Sequence, residues 1–128
     1  MANVNMVVGV TIQQVDITPN TTPVNYTISG ISLPCTTTFS DLWFQAGTTP
    51  TVVALPAATV WSVYVRNRHA SNTLTVTFTP TGGSAQTCVL VPGGVFLYHQ
   101  PSEGAGGITA LSLTGSGANT GAELYIGS

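Results

Sequence analysis

A run of strictly alternating hydroxyl and apolar side chains constrains the fold of this chain most. Residues Thr73 to Thr79 read T-L-T-V-T-F-T, which puts Leu74, Val76 and Phe78 on one side and the threonines on the other. A period of two is the signature of a strand with one buried face, and β-branched threonine suits a pleated surface. The run therefore predicts a half-buried β-strand.

Similar short apolar segments recur along the whole chain, separated by Gly, Pro, Asn and Ser, which are typical of turns. We expect strands at Val7–Ile17, Val24–Leu33, Thr37–Gln45, Thr51–Leu55, Val60–Arg68, Thr73–Thr79, Ala85–Val91, Val95–His99, Ile108–Leu113 and Glu123–Ile126. No apolar pattern of period 3.6 persists, so we expect no substantial helix. About ten short strands predict an all-β fold of the β-sandwich or jelly-roll type.

The sequence also predicts how two of the strands are connected, how many domains the chain forms and what the N-terminal segment does. The polar stretch from Asn67 to Asn72 is short enough to join its two strands as a hairpin. We expect residues 1–128 to form a single β-sandwich domain, with about residues 1–6 as a candidate arm. The N-terminal strand either pairs in its own sheet or reaches a neighbouring subunit. No membrane span is expected, because no apolar run reaches the roughly 18 to 20 residues that a span needs. No ordinary signal peptide is expected either, because the N-terminus lacks a basic region followed by a continuous apolar stretch.

Charged residues are unusually scarce, at 5% of the chain where about 25% is typical. They are Asp16, Asp41, Arg66, Arg68, Glu103 and Glu123. Such a surface has little electrostatic repulsion and favours self-association or incorporation into a larger assembly. The alternative is a soluble protein solvated by its hydroxyl groups. Two arginines cannot neutralise a row of phosphates, so we expect no nucleic-acid partner.

The sequence offers no constellation typical of an enzyme. His69 and His99 would have to combine with scattered carboxylates, and no G-x-S-x-G motif or other nucleophile context accompanies them. We therefore expect no catalytic residues, no metal site and no cofactor. Cys35 and Cys88 lie too far apart in sequence for a redox or zinc motif. We expect two free, buried thiols, with a disulfide between them as the alternative.

The aromatic residues allow two interpretations. In the first, Trp43 and Trp61 belong to the core and the tyrosines are half-buried with a solvated hydroxyl. In the second, Trp43, Tyr64 and Tyr98 are exposed contact residues, since exposed aromatic side chains stack on the rings of sugars. The strand pattern alone does not choose between them.

The second half of the chain resembles small β-rich structural proteins of tailed bacteriophage virions. The segments that carry the resemblance are V-Y-V-R-N-R at Val63–Arg68, N-T-L-T-V at Asn72–Val76, L-V-P-G-G-V-F-L at Leu90–Leu97 and A-E-L-Y-I at Ala122–Ile126. They are patterns of turns and strand composition rather than a catalytic fingerprint.

The resemblance implies a capsid decoration or cement protein that sits on the outside of the head and stabilises it. It also implies a homotrimer, with the major capsid protein of the same virion as partner and the virion as location. The alternative is a receptor- or glycan-binding module of a tail fibre or spike. A decoration protein should bind assembled shells and show no affinity for sugars, whereas a receptor module should bind glycans on the host surface through exposed aromatic side chains.

Overall fold

A computed structural model describes residues 4–13, 25–100 and 106–128. These residues form ten strands and contain no helix, which confirms the all-β prediction. The strands are β1 (Val4–Gln13), β2 (Asn25–Cys35), β3 (Thr38–Ala46), β4 (Thr51–Val52), β5 (Ser62–Asn67), β6 (Leu74–Pro80), β7 (Gln86–Leu90), β8 (Val95–His99), β9 (Ile108–Gly115) and β10 (Thr120–Gly127). Each predicted strand overlaps one of these. Residues 14–17 and 24 of the predicted strands lie outside the described residues.

Eight of the strands form two four-stranded antiparallel sheets. The first sheet has the order β3-β10-β5-β8 and the second has the order β4-β9-β6-β7. The paired strands are nested in sequence: β3 pairs with β10, β4 with β9, β5 with β8 and β6 with β7, so each pair encloses the next one along the chain. This nesting is the arrangement of a jelly roll, and it confirms the predicted β-sandwich class.

The hydrophobic core lies between the two sheets and follows the alternation seen in the sequence. Leu74 and Val76 of β6 are fully buried, and Phe78 packs against the same cluster. The other buried members are Ala46, Val53, Val60, Val63, Val65, Leu90, Ile108, Leu111, Leu113, Ala122, Leu124 and Ile126. Because both sheets contribute, burial of this cluster joins them into one unit.

The predicted hairpin between β5 and β6 is wrong, because the two strands belong to different sheets. The buried side chain of Asn67 explains the crossover. Its Nδ2 donates hydrogen bonds to the carbonyls of Asn72 at 2.8 Å and Leu90 at 3.0 Å. Its Oδ1 accepts a hydrogen bond from the backbone N–H of His69 at 3.0 Å. The polar stretch therefore folds around Asn67 instead of forming a tight turn between paired strands.

Strands β1 and β2 form a separate antiparallel hairpin outside both sheets. Leu33 is buried at its base, as is Cys35. Met6 and Cys35 approach Gly127 of β10 so closely that a side chain at position 127 has no room. Farther along, Val7 and Val10 are exposed. Residues 4–6 of the expected arm thus lie in β1 and pair with β2, and residues 1–3 lie outside the described part.

Both cysteines are free. Cys35 is buried at the base of the β1–β2 hairpin, whereas Cys88 is partly buried against the core between the sheets. The two thiols therefore belong to different clusters of side chains. The expectation of free thiols is confirmed, and the expectation of full burial holds for Cys35 only.

Candidate binding surfaces

The two sheets present chemically different outer faces. The structure describes four charged residues: Asp41 in β3, Arg66 in β5, Arg68 just after β5 and Glu123 in β10. All of these lie in or next to the first sheet, and the described strands of the second sheet carry no charge. We therefore treat the two outer faces as separate candidate sites.

The outer face of the second sheet consists of hydroxyl and small apolar side chains, and we call it the threonine face. It is formed by Val52, Thr75, Thr77, Thr79, Thr87, Val89, Ala110, Ser112 and Thr114. These residues alternate with the core positions of β6, β7 and β9. The outward threonines of the sequence run thus become part of a surface that all four strands share.

The strand register arranges the threonine face in rows. Thr77 lies between Thr87 and Ser112, and Val52 continues this row beyond Ser112. Val52 is 77% exposed and Val89 is 61% exposed. Methyl and hydroxyl groups lose less hydration free energy than charged groups when another surface covers them. Protein interfaces are depleted of charge at their centre, so this face suits contact with another protein.

A β-bulge shapes the outer face of the first sheet. Between β3 and β10 the register shifts, so that Leu42 and Trp43 both lie opposite Glu123. The backbone N–H of Trp43 donates a hydrogen bond to Asp41 Oδ1 at 2.9 Å. Trp43 is 70% exposed, so the interpretation that placed it in the core is wrong. The extra residue in β3 is the physical reason, because it turns the indole outward while Phe44 packs against the core.

Charged side chains lie near the exposed indole. The Arg68 guanidinium carbon lies 4.8 Å from the centre of a Trp43 ring, in cation–π geometry. Arg68 Nη1 also lies 3.4 Å from Glu123 Oε2. Arg66 lies directly opposite Glu123 in the strand register and is exposed. We call this group of Trp43, Arg66, Arg68 and Glu123 the Trp43 corner.

Two tyrosines lie next to the Trp43 corner. Tyr64 and Tyr125 face each other across β5 and β10, with ring centres 5.7 Å apart. Loss of hydration, followed by the charge of Glu123 and a hydrogen bond with it, raises the pKa of Tyr125. A phenol of ordinary pKa, about 10, is already protonated at neutral pH, so Tyr125 is a hydrogen-bond donor there with or without this shift.

A groove of about 450 Å³ separates β1 from the outer face of the first sheet. Its wall on the hairpin side runs from Met6 to Gly9, and its wall on the sheet side includes Tyr64, Glu123 and Tyr125. Because it shares Glu123, the groove is continuous with the Trp43 corner.

Of the three aromatic residues proposed as contacts, two lie on one outer face and the third packs against the core. Trp43 and Tyr64 lie on the outer face of the first sheet. Tyr98 packs against the core, and its hydroxyl accepts hydrogen bonds from Gly107 N at 2.9 Å and Gln100 Nε2 at 2.8 Å. Tyr98 is therefore not part of this surface. Trp61, the other tryptophan that the first interpretation placed in the core, is partly buried.

The sequence pattern did not indicate a role in binding for Arg68, Glu123 or Tyr125. Arg68 and Glu123 are 55 positions apart, and only the pairing of β5 with β10 brings them together. The A-E-L-Y-I segment contains two of the three residues, but an isolated strand pattern does not show its neighbours.

Both histidines serve local structure. His69 Nδ1 accepts hydrogen bonds from the backbone N–H groups of Ser71 at 3.1 Å and Asn72 at 2.8 Å, within the crossover. His99 Nδ1 lies 2.8 Å from the hydroxyl of Ser62, which is fully buried. Within the described ranges, no group of at least three His, Cys, Asp or Glu residues could hold a metal ion.

The described residues therefore define a class, an all-β jelly-roll domain with one uncharged outer face and one charged, aromatic outer face. No protein-family model matches the chain, and no curated protein or solved structure gives a significant match. In the described part of the chain, no helix is long and apolar enough to cross a membrane.

Proposed function

We propose that this protein is a non-enzymatic structural component of a bacteriophage particle. In this proposal it decorates the outside of the head and binds the major capsid protein through the threonine face. The uncharged character of that face, in a chain whose described charges all lie at the other sheet, is the observation that carries the proposal. Jelly rolls occur in viral capsid proteins, and the sequence resemblance points to the same class.

The composition of the threonine face determines which interactions would supply the binding free energy. Binding free energy would come from buried methyl groups and from hydrogen bonds of threonine and serine hydroxyls. With no charge on the described part of that face, binding should change little with ionic strength. A protein that binds only the assembled shell also stabilises it by mass action, so decorated heads should melt at a higher temperature.

The test is co-sedimentation of the purified protein with undecorated heads, from about 50 mM to about 500 mM salt. We expect binding at both extremes and about tenfold or greater weakening by Thr77→Lys, which would bury an unpaired ammonium group at the centre of the face. Gln45→Lys adds the same charge at an exposed position of the first sheet and should leave binding unchanged. Circular dichroism would check that both variants are folded.

Two results would contradict the proposal. Equal binding by the Thr77→Lys and Gln45→Lys variants would exclude the threonine face as the contact. Failure of the wild-type protein to sediment with heads, together with binding to host cells or their polysaccharide, would favour the receptor-binding alternative.

We also propose that the protein is a homotrimer. The β1–β2 hairpin supports self-association, because two strands without a third are marginally stable in water and this hairpin leaves Val7 and Val10 exposed. Light scattering at micromolar concentration should give three times the mass of one chain. A mass of one chain would refute the trimer for the free protein.

A further inference from the structure

We infer that the Trp43 corner is a carbohydrate-binding site that accepts a neutral pyranose ring stacked on Trp43. This inference goes beyond shell binding, because it concerns the opposite sheet and requires none of the residues of the threonine face. It departs from the expectation that a decoration protein shows no affinity for sugars, since the two faces are separate and can bind different partners.

The indole provides the apolar part of the site. A pyranose has a face of C–H groups and a rim of hydroxyls, so its binding site needs an exposed aromatic ring with polar groups at its edge. Trp43 is 70% exposed. The hydrogen bond from its backbone to Asp41 fixes the bulge, and Arg68 covers part of the ring at 4.8 Å. A ring held in this way loses little conformational freedom on binding.

Arg68 and Glu123 provide the polar part of the site. The carboxylate of Glu123 accepts hydrogen bonds and the guanidinium of Arg68 donates them, so adjacent sugar hydroxyls find both kinds of partner. Their contact at 3.4 Å holds both groups beside the indole. Arg66 adds further donors, and within the described ranges it takes part in no ion pair.

The position of Glu123 favours a neutral sugar over an anionic ligand. Its carboxylate contacts Arg68 and lies opposite Arg66 in the strand register, so it accompanies both guanidinium groups of the Trp43 corner. A phosphate or an acidic sugar bound against these arginines would therefore also meet the negative charge of Glu123. Charged side chains also border the indole, whereas the central residue of a protein interface is usually enclosed by groups that exclude water.

The groove beside β1 extends the site. It begins at Glu123 and Tyr125 and reaches Tyr64, which provides a further aromatic surface. A second sugar residue linked to the one on Trp43 can enter this groove. We therefore expect a disaccharide to bind more tightly than the corresponding monosaccharide.

Saturation-transfer NMR tests the inference with methyl β-galactopyranoside, lactose and maltose at millimolar concentration. We expect transfer to the C–H protons of at least one of these sugars, with the signal lost in Trp43→Ala, partly kept in Trp43→Phe and reduced in Glu123→Gln. Val89→Ala, on the threonine face, is the control and should keep the full signal. Because Trp43 is exposed, its replacement should not unfold the protein, which circular dichroism would verify.

Absence of transfer to all of these sugars with the wild-type protein would overturn the inference, as would an unchanged signal in Trp43→Ala. The result is independent of shell binding, because Trp43→Ala should sediment with heads as the wild type does. Loss of shell binding in that variant, without any sugar signal, would instead identify the Trp43 corner as a protein contact.

Discussion

Replacing Asn67 by leucine is expected to lower the free energy of unfolding by about 3 kcal/mol or more. The side chain is fully buried and makes hydrogen bonds with the backbone of Leu90, Asn72 and His69. Leucine has a similar volume but leaves these backbone groups without their partner. Each unsatisfied buried group costs about 1–3 kcal/mol, so the losses accumulate.

Urea denaturation of the wild-type and Asn67→Leu proteins measures this effect. Gln86→Leu is the matched control, because it makes a polar-to-leucine change at an exposed strand position and should shift stability by less than about 0.5 kcal/mol. A loss below about 1 kcal/mol for Asn67→Leu would show that the crossover does not depend on this side chain.

Leu124→Ala is expected to lower the free energy of unfolding by about 3–4 kcal/mol. Strand β10 lies between β3 and β5, so Leu124 is on an inner strand of the first sheet. Its side chain is fully buried in the core between the sheets. Truncation removes apolar contacts and leaves a cavity that central strands cannot close by moving.

The same substitution at Leu97 provides the comparison. Leu97 is 42% exposed on edge strand β8, so Leu97→Ala should cost less than about 1 kcal/mol in a parallel urea titration. Similar losses at the two positions would mean that the core is not where the jelly-roll arrangement places it.

The positions of the strands could be predicted from sequence because alternation is a local property. Leu74 and Val76 face the core as their spacing predicted, and Pro and Gly mark the turn between β7 and β8. Which strands pair with each other, in contrast, depends on residues that are far apart in the sequence. A short polar connection is compatible with a hairpin and with a crossover between sheets, and in the structure the buried Asn67 makes the hydrogen bonds that hold the crossover.

The candidate sites were harder to predict from the sequence for the same reason, because they depend on strand pairing. The threonines of β6 were predicted to share one side, but the uncharged neighbours that β7 and β9 add depend on strand order. The exposure of Trp43 depends on a bulge opposite Glu123, which exists only when β3 pairs with β10. The contact of Arg68 with Glu123 requires β5 on the other side of the same strand.

Electron cryo-microscopy of the parent particle tests the proposed function most directly, because it shows where this chain lies. We expect a separate jelly-roll density on the outside of the head, with the threonine face against the major capsid protein and the Trp43 corner turned to solvent. Density for this chain at the tip of a tail fibre or spike, or its absence from the particle, would contradict the proposed function.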